Sequence, residues 1–426
     1  MNPLAEELNR ALKGTVISDL LSDFGKRFYF PKGIVAQSGE AKKQAHNINA
    51  TIGIATAEGD PMYLPVIRET VSGLEPKQIF PYAPTAGVPR LRELWKAEMA
   101  AKNPGLAGKE TSLPVVVSGL THGIAVLADL FADTGDQVIL PDMFWGNYRL
   151  IFQERNQAVL SPFPFFAAGG GLNLEALKQR CAENRGGKAL LLLNFPNNPT
   201  GYSPSRAEAA ALVDLLAAEA KAGTRLLVIC DDAYFGLFYE EETYTQSLFA
   251  ELADLHENIL AVKVDGATKE ELVWGFRLGF LTFAGRGLTA AHYEALVQKV
   301  TGAVRSSISN SNQLTQNLML LALESEQHQE QKQQAFDIIQ ARYRKVREIV
   351  TNLDAPLEAL PFNSGYFMTF RVIGKSAEAL RKKLLAEHGV GTISIQDKYL
   401  RVAYSSVDLD RLEELYAAIS KAAREL

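Results

Sequence analysis

Residues 267–279 read Ala267-Thr268-Lys269-Glu270-Glu271-Leu272-Val273-Trp274-Gly275-Phe276-Arg277-Leu278-Gly279. A lysine followed at this distance by the arginine of a Gly-x-Arg-x-Gly turn reads as a Schiff-base lysine beside a phosphate clamp. The amine can hold an aldehyde covalently, and the guanidinium can grip a phosphate through two parallel charge-assisted hydrogen bonds. Lysines and arginines are common on surfaces, so the pair carries weight only with support from elsewhere in the chain.

That support lies upstream. Between about Tyr63 and Gly285 short apolar runs alternate with longer amphipathic stretches, the rhythm of an α/β domain with a mainly parallel sheet. Strands are expected at Val115–Val117, Gln137–Leu140, Ala189–Phe195, Arg225–Asp231, Ile259–Val264 and Leu278–Ala284. Several are too continuously apolar for half-exposed strands and read as central strands covered on both faces. Ser203-Pro204-Ser205-Arg206-Ala207-Glu208 offers a capping serine, an early proline and a glutamate three residues after Ser205, so a helix is expected from there to about Gly223.

In parallel sheets, ligands bind beyond the carboxyl ends of strands. Three expected strand ends are rich in polar residues: Pro196-Asn197-Asn198-Pro199-Thr200-Gly201, then Asp231-Asp232-Ala233-Tyr234, then Lys269. Read singly they are a proline-rich turn, a helix N-cap and an exposed loop. In this order they point to one site.

Together, Asn197-Asn198-Pro199-Thr200-Gly201, Asp231-Asp232-Ala233-Tyr234 and Lys269 with its downstream Gly-x-Arg-x-Gly resemble the class I pyridoxal-phosphate-dependent aminotransferases of fold type I, the group that includes aspartate aminotransferase. The resemblance covers most of the chain. It implies an α/β fold in which a large domain with a mainly parallel sheet is joined by a smaller α+β domain, and pyridoxal 5′-phosphate as cofactor. It further implies that Lys269 holds the cofactor and moves a proton between the substrate Cα and the cofactor. Asp231 would pair with the pyridine nitrogen and keep it protonated, with Asp232 the competing choice. Tyr234 and Asn198 would hydrogen-bond the phenolic oxygen.

For the phosphate, the resemblance implies Arg277 together with Thr121 and the backbone of Gly119 and Leu120, in Ser118-Gly119-Leu120-Thr121-His122-Gly123 at the start of an expected helix. The family commonly carries a hydroxyl three residues before the lysine, where this chain has Gly266; whether Thr268 substitutes is open. Trp145, in Pro141-Asp142-Met143-Phe144-Trp145-Gly146-Asn147-Tyr148, matches the aromatic residue that stacks on the cofactor ring, its alternative being a core tryptophan at a strand end. Arg401 stands where the family places the arginine for the substrate α-carboxylate, assisted by Asn198 and the Gly53 backbone, with Phe367 as a wall. Tyr82 resembles the tyrosine that reaches a neighbouring subunit's phosphate. Arg305 resembles the arginine that crosses the interface to a distal carboxylate, although the two residues after it depart from the family's usual sequence and a helix cap or interface pair is the alternative. A homodimer with sites at its interface follows from the resemblance.

At 426 residues the chain is expected to exceed one small core. The expected division is an N-terminal segment, 1–62, belonging to the small domain, a large cofactor-binding domain, 63–312, and a connecting helix with the C-terminal small domain, 313–426. After Ser309 a long polar, helix-favouring stretch runs to about Leu353, followed by strands at Gly365–Val372 and Tyr399–Tyr404 and a helix at Asp408–Arg424. Ala167-Ala168-Gly169-Gly170-Gly171 reads as a surface turn. The composition, 47% hydrophobic and 22% charged, is that of a soluble globular protein, and a net charge of -5 leaves no basic excess for nucleic acid. Only two cysteines, Cys181 and Cys230, fit a reducing compartment, with the cytoplasm as the expectation. No apolar run approaches a bilayer span, so no membrane partner is expected.

The expected activity is amino transfer from an L-amino acid, aspartate or another dicarboxylic amino acid first, to a 2-oxo acid. An aromatic amino-acid transaminase, given Trp145, Tyr366 and Phe367, and a β-elimination or decarboxylation lyase are the alternatives, since the cofactor alone does not settle the reaction. A cofactor-binding regulator is disfavoured by the presence together of Lys269, Asp231, Tyr234, Arg277 and Arg401.

Overall fold

A computed structural model describes residues 1–31, 33–353 and 355–426. Its centre is a seven-stranded sheet: β1 Val115–Val117, β2 Gln137–Pro141, β3 Val159–Phe163, β4 Lys188–Asn194, β5 Arg225–Asp231, β6 Ile259–Asp265 and β7 Gly279–Ala284. The spatial order is β1-β7-β6-β5-β4-β2-β3. Only β7 runs against the rest, antiparallel to both β1 and β6. Along β4, Ala189, Leu191 and Leu193 pack into one core cluster while Leu190 and Leu192 pack into another. Both faces are therefore covered, and the continuous apolar runs follow from that.

All six expected strands form, and β3 joins them unannounced. Its sequence, Val-Leu-Ser-Pro-Phe, carries Pro162, which argues against a central strand. The strand sits at the sheet edge beside β2, where a missing amide is tolerated. The capped helix runs Arg206–Lys221, with Ser205 Oγ accepting from the Glu208 amide and Glu208 Oε2 accepting from the Ser205 amide. Pro204 lies outside it. The polar stretch after Ser309 is two helices rather than one, Gln313–Leu323 and His328–Thr351, because the first ends in an apolar turn that packs into the core and the helix breaks at Glu324–Gln327.

A second sheet, all antiparallel, takes the strands Leu357–Ala359, Phe367–Val372, Tyr399–Ala403 and Ile393–Ile395 in that spatial order. The N-terminal segment reaches it: Ile48–Asn49 pairs in parallel with Val390–Gly391. Strand Tyr399–Ala403 thereby lies beside residues 50–54, with the Ala403 amide bonded to the Ala50 carbonyl. No helix among the described residues is long and apolar enough to cross a membrane.

Candidate active site

A cavity of about 410 Å³ opens where the carboxyl ends of β4, β5 and β6 meet the start of helix Gly119–Phe131 and the strand that carries Arg401. Of the residues singled out in the sequence, Gly53, Leu120, Thr121, Trp145, Asn198 and Asp231 line it. So do Tyr234, Thr268, Lys269, Arg277, Phe367 and Arg401. Gly119 lies just behind this lining, against Arg277. Tyr82 and Arg305 do not line it: Tyr82 is 89% exposed, and Arg305 ends helix Ala290–Ser307 on the outer surface, donating to Ser309 Oγ at 2.6 Å.

Lys269 follows β6 in a single helical turn, Ala267–Glu270, and its Nζ stands 4.8 Å from the centre of the Tyr234 ring. Burial lowers the affinity of this amine for a proton, to a pKa of about 8; the neighbouring Asp231 opposes the shift and Arg277 adds to it. Asp231 is the last residue of β5. Burial pushes its carboxyl up, while a hydrogen bond from the Tyr148 hydroxyl, the Lys269 charge and the Ala233 amide, 3.2 Å from Oδ1, hold it down.

Asp232 points elsewhere. Its carboxylate accepts from Ser247 Oγ at 2.6 Å and from the buried Lys263, which also meets Asp265 at 3.4 Å. Successive strand residues face opposite sides of a sheet, and β5 sends only Asp231 to the cavity.

Arg401 is 2% exposed. Its Nη1 donates to Asn198 Oδ1 at 3.0 Å and its Nη2 to the Thr51 carbonyl at 2.8 Å, and its guanidinium stacks 4.3 Å from the centre of Phe367. Nε has no partner, and no carboxylate pairs with Arg401 among the described residues. Burial lowers its pKa to about 10, opposed by Tyr234. Gly53 packs tightly here, since a Cβ would come within 3.2 Å of Phe367 Cζ.

At the other end Gly119, at φ +76°, begins its helix with a first turn that no side chain caps. A Cβ on Gly119 would stand 2.5 Å from Arg277 Nη2, so the guanidinium occupies the room that the missing side chain leaves. The Thr268 hydroxyl is buried, has no partner among the described residues and lines the same cavity. Gly266 cannot carry a hydroxyl side chain in this backbone: its Cβ would lie 2.5 Å from the Leu278 carbonyl and 2.9 Å from Gly279 Cα.

Three contributors escaped the sequence reading. Tyr148, 1% exposed, bonds Asp231 and meets Trp145 edge-on with ring centres 5.4 Å apart. Asn194 ties the strand ends, donating to the Asp231 carbonyl at 2.9 Å and accepting from the Asn198 amide at 2.9 Å. Helix Ile34–Gln44 brings Ile34, Val35 and Ser38 to the cavity mouth. The i, i+3 spacing of Trp145 and Tyr148 was a readable signal for the first; the others depend on contacts between distant segments.

The chain matches the family described as aminotransferase class I and II over residues 51–419. The aspartate aminotransferase of Geobacillus stearothermophilus is 26% identical over 264 residues, 60% of each chain. The arginine–pyruvate transaminase of Pseudomonas aeruginosa is 24% identical over 344 residues, 79% of this chain and 80% of that one. The crystal structure of an aminotransferase from Anaerococcus prevotii superposes with a TM-score of 0.80 at 22% identity, covering 93% of this chain and 98% of that one. With the three motifs gathered at the strand ends of one mostly parallel sheet, the chain belongs to the class I and II aminotransferase family, the pyridoxal-phosphate-dependent transaminases of fold type I.

Proposed function

We propose that this protein moves an amino group from an L-amino acid to a 2-oxo acid, with pyridoxal 5′-phosphate held at Lys269 and the substrate α-carboxylate held at Arg401. The observation that carries this reading is Arg401. A buried guanidinium that among the described residues is bonded only to an amide and a carbonyl oxygen, with an idle Nε, lacks a negative partner there. An amino acid brings that charge on the carbon that bears its amine, and the fork of the arginine matches it.

The far end of the cavity suits the cofactor. Arg277, Thr121, the orphaned Thr268 hydroxyl and the first amides of helix Gly119–Phe131 suit a phosphate. Asp231 suits a protonated ring nitrogen, Tyr234 and Asn198 suit a phenolic oxygen, and Trp145 suits a ring face. When bound, pyridoxal phosphate supplies an electron-withdrawing ring that stabilises negative charge at the substrate α carbon. Burial raises the pKa of Asp231 and the hydrogen bond from Tyr148 opposes that shift; in its charged form Asp231 would favour the protonated ring nitrogen. The Lys269 amine, held near neutrality by burial, takes the proton from Cα and returns one. Arg401 and Asn198 fix the carboxylate, which sets the angle at which the Cα–H bond meets that amine.

The proposal extends to a homodimer, since Tyr82 and Arg305 lie outside their own chain's cavity on exposed surface and a second copy's cavity is where they would act. Aspartate or another dicarboxylic donor is the leading substrate class and rests on Arg305 in that role. A second reading, an apolar or aromatic donor, draws on the apolar mouth formed by Ile34, Val35 and Ile52. The division at residues 62/63 and 312/313 belongs to the same proposal, supported by the pairing of Ile48–Asn49 with Val390–Gly391. So does a cytoplasmic location, in keeping with two free, buried cysteines.

Borohydride reduction of the cofactor-loaded protein, followed by peptide mass mapping, should place a pyridoxyl group on Lys269; a group on another lysine would overturn the assignment. A panel of amino donors read by conversion of the bound cofactor to its pyridoxamine form then ranks substrates. Release of ammonia or pyruvate without a 2-oxo acid acceptor would mark a lyase instead.

A further inference from the structure

A second cavity, of about 570 Å³, shares no residue with the one at Lys269. It lies between helix Pro89–Lys102, the segment 110–113 that leads into β1, and helix Ala290–Ser307. Two cations line it, Arg92 and Lys96, four residues apart and so on one face of their helix. Two carboxylates line it as well, Glu110 and Glu294. The buried Tyr293 ties together the segments that carry these carboxylates, its hydroxyl donating to the Glu110 carbonyl at 3.0 Å.

Opposite charges that share a cavity ordinarily pair with one another, yet among the described residues none of these four forms an ion pair. Each cation is held by a backbone carbonyl instead. Arg92 Nε donates to the Pro114 carbonyl at 2.5 Å and Lys96 Nζ to the Thr111 carbonyl at 2.8 Å. The two outer nitrogens of the Arg92 guanidinium have no partner among the described residues, and that fork fits a carboxylate. Among the same residues the Glu294 carboxylate accepts only from Gln298 Nε2, at 3.0 Å and one turn along its own helix, and the Glu110 carboxylate accepts from none. Burial lowers the proton affinity of both cations; Glu294 and Glu93 oppose the shift at Arg92, and Glu110 opposes it at Lys96. The two lining glutamates are therefore near enough to act on the cations without contacting them.

A bare anion drawn to Arg92 and Lys96 meets repulsion from Glu110 and Glu294, and a bare cation meets the converse. A molecule that carries both charges answers both sets. The volume lies within the range of small-molecule sites, about 300–1,000 Å³. We propose that this cavity binds a free α-amino acid as an intact zwitterion, with its carboxylate on Arg92 and Lys96 and its ammonium on Glu110 and Glu294. This site is separate from the one at Arg401 and does not depend on the activity proposed above, since the two cavities have no residue in common.

The test is calorimetric titration of the cofactor-loaded, borohydride-reduced protein, whose cofactor no longer reacts with amines, with L-alanine, L-serine and L-glutamine in turn. At least one of the three should bind with a Kd at or below about 1 mM. Arg92→Met and Glu294→Gln should each weaken that binding by about tenfold or more, while Arg401→Met leaves it within about twofold. The N-acetyl form and the α-amide of the same amino acid, each short of one charge, should also bind about tenfold or more weakly. Binding that survives Arg92→Met and disappears with Arg401→Met would put the ligand in the other cavity and overturn the proposal. Equal affinity for the N-acetyl form would overturn it too, by making the cavity a plain anion site, as would the absence of binding by all three amino acids at about 10 mM. Thermal unfolding is recorded for each variant. Should Arg92→Met fail to fold, Lys96→Met on the same helix face decides in its place, and Glu110→Gln stands in likewise for Glu294→Gln.

Discussion

Asp231 and Asp232 are adjacent in the chain and opposite in surroundings. Asp231 meets Tyr148 and the cavity, whereas Asp232 is locked to Lys263 and Ser247 in the core. Asp231→Asn should therefore leave unfolding nearly unchanged while slowing half-transamination by at least about tenfold, the scale of a hydrogen bond to a charged group at roughly 1.5–3 kcal/mol. Asp232→Ala should do the reverse in kind: it takes from the buried Lys263 the nearer of its two carboxylates, leaving Asp265 at 3.4 Å, and costs about 3 kcal/mol of stability. Denaturant midpoints and single-turnover rates of the two variants check the contrast, and equal stability losses would mean that Asp231 is also structural. The choice between these aspartates was legible in the sequence only through the family pattern. Tyr148 and Asn194 were not legible in their roles, because each works through a partner far along the chain, as in the bond from Tyr148 to Asp231 83 residues away.

Elements were easiest to read where burial left one solution. Strands β4 and β5 are apolar on both faces, and an apolar run of that length bounded by turn residues fits a covered strand. Edges and joints carried weaker signals: Pro162 hid β3, and a continuously helix-favouring composition hid the break at Glu324–Gln327. The start of helix Gly119–Phe131 is an element whose form serves the site. Gly119→Ala places a Cβ where Arg277 lies and asks alanine to hold φ +76°, at about 1 kcal/mol or more of backbone strain. The flexible arginine has to yield, so affinity for pyridoxal phosphate should fall by about tenfold or more while the protein still folds. Fluorescence titration of the cofactor measures this, and an unchanged affinity would remove Arg277 from the phosphate.

At the scale of the whole molecule, Arg305 and Tyr82 have no work to do in their own cavity, and the dimer reading gives them some. Mixing subunits that carry Lys269→Ala with subunits that carry Arg305→Ala tests it. Each parent should be weak toward aspartate, the first for want of the amine and the second for want of the distal cation. Should Arg305 serve across the interface, a mixed pair assembles one site from an intact Lys269 and an intact Arg305, and activity toward aspartate should return to at most about a quarter of the native level, half of the pairs carrying one such site. No recovery after subunit exchange, verified by native mass spectrometry, would confine Arg305 to a surface role.

The bond from Arg401 to the Thr51 carbonyl, spanning 350 residues, also sets an order of events during synthesis. A ribosome releases the chain from its amino end, and the seven-stranded sheet has all its strands once Ala284 has emerged. The proposed amino acid pocket cannot close then, because Thr51 must wait, with its neighbours Ile48 and Asn49 unpaired, for Val390, Gly391 and Arg401 to arrive. A nascent chain halted shortly before Val390 therefore carries every residue that the proposed phosphate site uses and lacks the arginine proposed to hold the substrate carboxylate, so under that proposal capacity to hold the cofactor precedes capacity to select what reacts with it.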